Sequence, residues 1–146
     1  MSVLSVVIDA SVVVKWFVEE EGSDKALEIR DKYVKGEIEL MAPEIIMFEV
    51  LNALYYKQLF SESEMKEISE ALDSYSLDLY SIEGEYAEKT IEVAFENNIT
   101  IYDAAYISLA IMKNTFMYTA DEKLARKLKG DYSKYVKKIR GHSPIR

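Results

Sequence analysis

Cysteine is absent from the 146 residues, which removes disulfides and thiolate metal sites together. Histidine is almost absent, with one residue, His142, close to the C-terminus. A nucleophile–histidine triad of the protease or esterase kind is therefore not expected. No apolar run approaches the ~20 residues that would span a bilayer. The N-terminus enters a strand pattern directly, without a charged leader region, so no signal peptide is expected. With no cysteine to oxidise, a cytoplasmic location is the default. Prolines number two and glycines five, and no linker, repeat or low-complexity stretch is evident. One domain over residues 1–146 is expected, large enough to bury a core without staples.

What is present is a globular balance, 49% hydrophobic and 30% charged. The 26 acids and 18 Lys/Arg give a net charge of −8, which at first argues against a nucleic-acid partner. The distribution argues otherwise. Residues 1–122 hold 9 Lys/Arg and 25 acids, whereas residues 123–146 hold 9 Lys/Arg and Asp131 alone. That is −16 against +8. Such asymmetry marks a candidate polyanion surface, with Lys123, Arg126, Lys127, Lys134, Lys137 and Lys138 as the candidate contacts. A solvated basic face without a partner accounts for it equally well.

Val3-Leu4-Ser5-Val6-Val7-Ile8 is a β-branched, nearly unbroken apolar run, as in a strand buried on both faces of a parallel sheet. Strand patterns recur at Ile38–Met41, Leu77–Tyr80, Phe116–Tyr118 and Tyr135–Ile139, the last as an edge. Helical patterns fill the intervals. Ser23 is expected to cap a helix whose inner face carries Ala26, Leu27, Tyr33 and Val34. Pro43 is expected in the first turn of a helix reaching about Gln58. Ser61 and Glu64 form a capping-box pattern. Tyr86 to Phe95 marks an amphipathic helix, and others run over Ile101–Lys113 and Glu122–Lys129. Alternation of this kind predicts a three-layer α/β/α sandwich on a mainly parallel sheet.

Four carboxylates stand out against this pattern. Asp9 ends the first strand, where open parallel sheets place their ligands, although Asp is also a good helix N-cap. Glu49 is the only charged side chain between Ile45 and Tyr56, on a helix so apolar that it is expected to be mostly buried. Asn52, three residues on, shares its face. Asp103 is the only charge between Thr100 and Met112, and Thr100 can cap its helix. Asp121 follows the strand Phe116-Met117-Tyr118. Taken singly, each Asp reads as a cap. Together the four acids are expected at one end of the sheet, where carboxylates repel unless a cation joins them. Such a donor set suits Mg²⁺ or Mn²⁺, able to activate water against a phosphodiester.

The segments Val6-Val7-Ile8-Asp9-Ala10-Ser11, Pro43-Glu44 leading to Phe48-Glu49-Val50-Leu51-Asn52, Ile101-Tyr102-Asp103-Ala104-Ala105-Tyr106 and Tyr118-Thr119-Ala120-Asp121 resemble, in order and spacing, those of the PIN-domain ribonucleases. Within that family the chain is most similar to the small VapC-type toxins. The resemblance covers nearly the whole chain. It implies a PIN-like sandwich, Mg²⁺ or Mn²⁺ held by Asp9, Glu49, Asp103 and Asp121, and Ser11, Asn52 and Thr119 as supporting polar residues. It further implies endoribonuclease activity, a homodimer and a VapB-type antitoxin. A phosphatase of the haloacid-dehalogenase kind would want a second Asp at position 11, which is Ser. A receiver domain would want paired acids after the first strand, and Asp9 is followed by Ala10. The remaining rival is a PIN-like module that binds RNA or protein without cutting.

Overall fold

The computed structural model describes residues 3–140. His142 and the end of the basic segment, 141–146, lie outside the described residues. Five strands form one sheet: β1 (Leu4–Ile8), β2 (Ile38–Pro43), β3 (Asp78–Tyr80), β4 (Met117–Thr119) and β5 (Val136–Lys138). All four pairings are parallel, in the order β3-β2-β1-β4-β5. Helices cover both faces. Among the described residues no helix is long and apolar enough to cross a membrane.

β1 is the middle strand, and its Val6, Val7 and Ile8 are fully buried, as its apolar run predicts. From β1 the chain builds outward to β2 and β3, then returns to place β4 on β1's other side. The strand order therefore reverses between β1 and β4, and such a switch point opens a crevice at the strands' carboxyl ends. Asp9 follows β1 and Asp121 lies just past β4. Both acids stand at that crevice.

The helices are α1 (Ala10–Val14), α2 (Ser23–Val34), α3 (Ile46–Lys57), α4 (Glu62–Ser74), α5 (Gly84–Asn97), α6 (Ile101–Met112) and α7 (Glu122–Lys127). A 3₁₀ helix, Gly130–Tyr135, leads into β5. α6 packs against β1, β2 and β4 and is buried without interruption from Ala104 to Ala110. Ser61 and Glu64 close the expected capping box. Glu20 accepts from Lys15 at 3.1 Å and Lys57 at 3.0 Å, tying the turn after α1 to the end of α3. The Asn97 side chain donates to Val93 O and accepts from Lys129 N, anchoring the basic segment to α5.

Five expectations need correction. Pro43 does not open α3 but ends β2, opposite Tyr80; Glu44 N then donates to Tyr80 O at 2.9 Å, so β2 runs past the expected Met41 to the proline itself. A strand's end tolerates the missing donor. Gly22, with φ of 88°, caps α2 in place of Ser23, whose hydroxyl donates to Val18 O and accepts from Glu20 N. α2 buries Ala26 and Ile29, while Val34 is exposed. α3 is not buried all round: Ile46, Val50 and Leu54 face the core, whereas Phe48, Tyr55 and Tyr56 face outward. On α5, likewise, Ile91 and Phe95 are exposed.

Candidate active site

Asp9 is the best-held carboxylate. Only 5% of its surface is exposed. It caps α1 by accepting from Val12 N at 3.3 Å. Ser11 Oγ donates to Oδ1 at 2.5 Å, and Thr119 Oγ1 donates to Oδ2. The two hydroxyls are fixed in turn, Ser11 by Ala120 N at 2.9 Å and Thr119 by Asp121 N at 3.0 Å. The parallel β1–β4 pairing, Ile8 beside Tyr118, brings Thr119 to this position from the far end of the chain. Burial outweighs these bonds and pushes the Asp9 carboxyl from 3.8 to about 6, with the charge of Asp121 adding to the rise. No cation offsets it among the described residues.

Asp121 caps α7, accepting from Leu124 N at 3.0 Å, and its charge acts on both Asp9 and Asp103. Asp103 sits in the first turn of α6, whose cap is Thr100 Oγ1 accepting from Asp103 N at 3.0 Å. Desolvation first and Asp121 second raise its carboxyl; the Thr100 bond and Lys127 act the other way. Glu49, in the first turn of α3, is raised by desolvation and by Asp103. The four acids thus form a row, Asp9 to Asp121 to Asp103 to Glu49, each repelling the next. Among the described residues no three of them stand close enough to make a finished cation cage.

The sequence reading passed over Tyr106. Its hydroxyl donates to Glu49 Oε1 at 2.5 Å, and burial with the charges of Glu49 and Asp9 drives its pKa upward. It therefore stays a donor, lodged between the two ends of the row. A signal existed: Tyr106 follows Asp103 by one helical turn, and a half-buried Glu49 with no cation nearby requires a donor.

The remaining candidates divide. Ser11 and Thr119 touch Asp9. Asn52 is exposed and lines a shallow cleft of about 310 Å³ with Ile45, Phe48, Glu49 and Tyr102. Lys123 and Arg126 line a cleft of about 670 Å³ that includes Asp121, and Lys127 acts on Asp103. Lys137 and Lys138 line a second groove. Lys134 lies over the Tyr135 ring, 5.3 Å from its centre, and lines neither.

An all-parallel sandwich with acids at its switch point is a PIN-like α/β fold. The PIN domain pattern matches residues 6–129. "Ribonuclease VapC3" of Pyrobaculum aerophilum is 30% identical over 129 residues, 85% of this chain and 95% of that protein. On that evidence the chain belongs to the PIN domain family. Solved structures agree on the fold. PAE2754 from Pyrobaculum aerophilum aligns with a TM-score of 0.59 and 23% identity, over 88% of this chain and 81% of its own. A toxin–antitoxin complex from Klebsiella pneumoniae gives 0.58 and 16%, over 81% and 88%. VapBC-5 from Mycobacterium tuberculosis gives 0.56 and 17%, over 93% and 98%.

Proposed function

We propose that the chain is a divalent-metal-dependent endoribonuclease and the toxin of a VapBC-type pair. The observation that carries this reading is Asp9: a buried carboxylate at the switch point, raised to about 6 and without a cation. Its neighbours offer only carboxylate and hydroxyl oxygens, the donors that Mg²⁺ and Mn²⁺ prefer. A cation would relieve the repulsion along the row, so the donor chemistry fits although the row is not closed. Asp9, Glu49, Asp103 and Asp121 would hold it. Bound there, it supplies Lewis acidity and a water of lowered pKa for phosphodiester hydrolysis.

The chain's own groups do the rest. Ser11 and Thr119 fix Asp9, and Tyr106 fixes Glu49. Asn52, at the rim, is placed to meet substrate. Lys123, Arg126 and Lys127 lie beside Asp121 and Asp103 to receive phosphate, with Lys134, Lys137 and Lys138 further out. The exposed aromatic face of α3 supports a homodimer, since patches of this kind mark interfaces; sedimentation as a monomer at micromolar concentration would count against it. The relatives named in toxin–antitoxin systems support a VapB-type antitoxin as partner.

The direct test is cleavage of single-stranded RNA with Mg²⁺, Mn²⁺ or EDTA. Activity should appear with metal and vanish in EDTA. Asp9→Asn should abolish it, by about a thousandfold or more if several kcal/mol of barrier depend on the metal, while the protein remains folded. Undiminished cleavage in excess EDTA would end the proposal. RNA binding without cleavage under every condition would favour the non-catalytic module.

A further inference from the structure

Several cations that form no ion pair among the described residues gather in one groove. A groove of about 360 Å³ runs between α2 and β5, and its lining includes Lys25, Lys32, Lys137, Lys138 and Arg140 against a single acid, Glu28. Tyr118 contributes an aromatic ring to the same lining. Among the described residues Lys25 pairs with Glu28 at 3.4 Å, but Lys32, Lys137, Lys138 and Arg140 form no ion pair. In a chain with 26 acids that is a marked segregation. Lys137 is steadied without being neutralised, its ammonium lying 5.8 and 5.7 Å from the ring centres of Phe116 and Tyr118. Cation–π contact holds a charge in place and leaves it available to an anion.

Ile139 and Arg140 line both this groove and the 670 Å³ cleft that contains Asp121. The two recesses therefore meet, and a chain lying in the groove continues toward the acids. We infer that the groove between α2 and β5 binds the ribose-phosphate backbone of the single-stranded RNA segment flanking the one presented to the carboxylates, with Lys32, Lys137, Lys138 and Arg140 as phosphate contacts. The inference rests on the nuclease reading and adds to it an element, α2, that the basic C-terminal segment does not include. A single strand fits better than a duplex, because the path passes from the groove into the cleft beside Asp121 and only a chain able to bend can follow it. An acidic peptide would meet the same charges, but the continuity with an acid row suited to phosphodiester chemistry favours RNA.

The test is the salt dependence of binding in EDTA, where cleavage cannot proceed. A fluorescein-labelled single-stranded RNA is titrated by anisotropy with wild type and with the variant Lys32→Gln. Each phosphate contact on a single strand contributes about 0.7 to the slope of log affinity against log salt. The variant should lower that slope by about 0.7, with a loss of affinity that shrinks as salt rises. A charge-matched control, Lys66→Gln on α4, should keep the wild-type slope. An unchanged slope in the α2 variant, with wild type still cleaving RNA, overturns the groove and spares the nuclease reading. Wild type that neither binds nor cleaves RNA overturns both. If the α2 variant loses affinity for a polyglutamate peptide and not for RNA, the groove belongs to a protein partner and the inference falls.

Discussion

Asp9 and Asp121 follow strands, whereas Glu49 and Asp103 project from helices, and the two pairs are secured by different chemistry. On the strand side each carboxylate caps a short helix, and two hydroxyls, themselves fixed by backbone donors, lock Asp9. On the helix side both acids are half-buried, and Glu49 has one side-chain donor, Tyr106. The sheet's register sets the first pair; side-chain packing sets the second. A site built this way has one preorganised wall and one wall with fewer fixed contacts and more room to adjust.

The largest expected effect comes from the locked wall. Each pKa unit is worth about 1.4 kcal/mol. With Asp9 moved from 3.8 to about 6, ionising it in the folded, metal-free protein costs about 3 kcal/mol. Between those values the folded state holds more protons than the unfolded one, so stability falls as pH rises. The penalty is absent below 3.8 and complete above about 6. Asp9→Asn should remove that loss and make the metal-free protein more resistant to urea than wild type at pH 8. Its hydroxyl partners can turn to accept from the new amide. A lower urea midpoint for the variant at pH 8 would mean that the hydrogen bonds to the charged form outweigh its burial.

A smaller effect is expected from the hydroxyls. Ser11→Ala with Thr119→Val should weaken Mn²⁺ binding by about ten- to a hundredfold, as loss of outer-sphere partners generally does. Calorimetric titration would read this directly.

The smallest belongs to the adjustable wall. Tyr106→Phe removes the bond that lowers Glu49, so Glu49 should rise further and the acid limb of the cleavage profile should move to higher pH. Metal affinity should fall less than in the hydroxyl variant, because Glu49 is half-exposed and water can replace the phenol. An equal loss in the two variants would erase the distinction between the walls.

Much of this arrangement is legible in the chain itself. β1 announces itself by composition, the Ser61–Glu64 cap by spacing, and the acids by standing alone in apolar surroundings. The misreadings share a cause. Periodicity reports where apolar residues recur, not whether anything covers them, and so Phe48, Tyr55 and Phe95 looked buried and are not. Pro43 was misplaced because its tolerance at a strand's end depends on β3, a tertiary neighbour that local sequence does not show. Tyr106 looked like core because an aromatic on a buried helix usually is. Its role depends on Glu49, which lies 57 positions away. The groove beside α2 escaped for the same reason: Lys25 and Lys32 sit in a stretch of mixed charge, and only the fold carries them to β5.

The central place of β1 has a consequence in time. Thr119 meets Asp9 across 110 positions, so β1 waits for a strand made more than a hundred residues later. At about 5 to 20 residues per second of synthesis, that interval is about five to twenty seconds on the ribosome. Pairings so distant in sequence are also slow to form once both partners exist. Until β4 docks, Asp9 lacks the Thr119 bond and the company of Asp121, and a chain stopped before Phe116 contains neither. The acid row is thus assembled only after Asp121 has been made, and a chain stopped before Phe116 carries three of its four acids, Glu49, Asp103 and an Asp9 without the Thr119 bond.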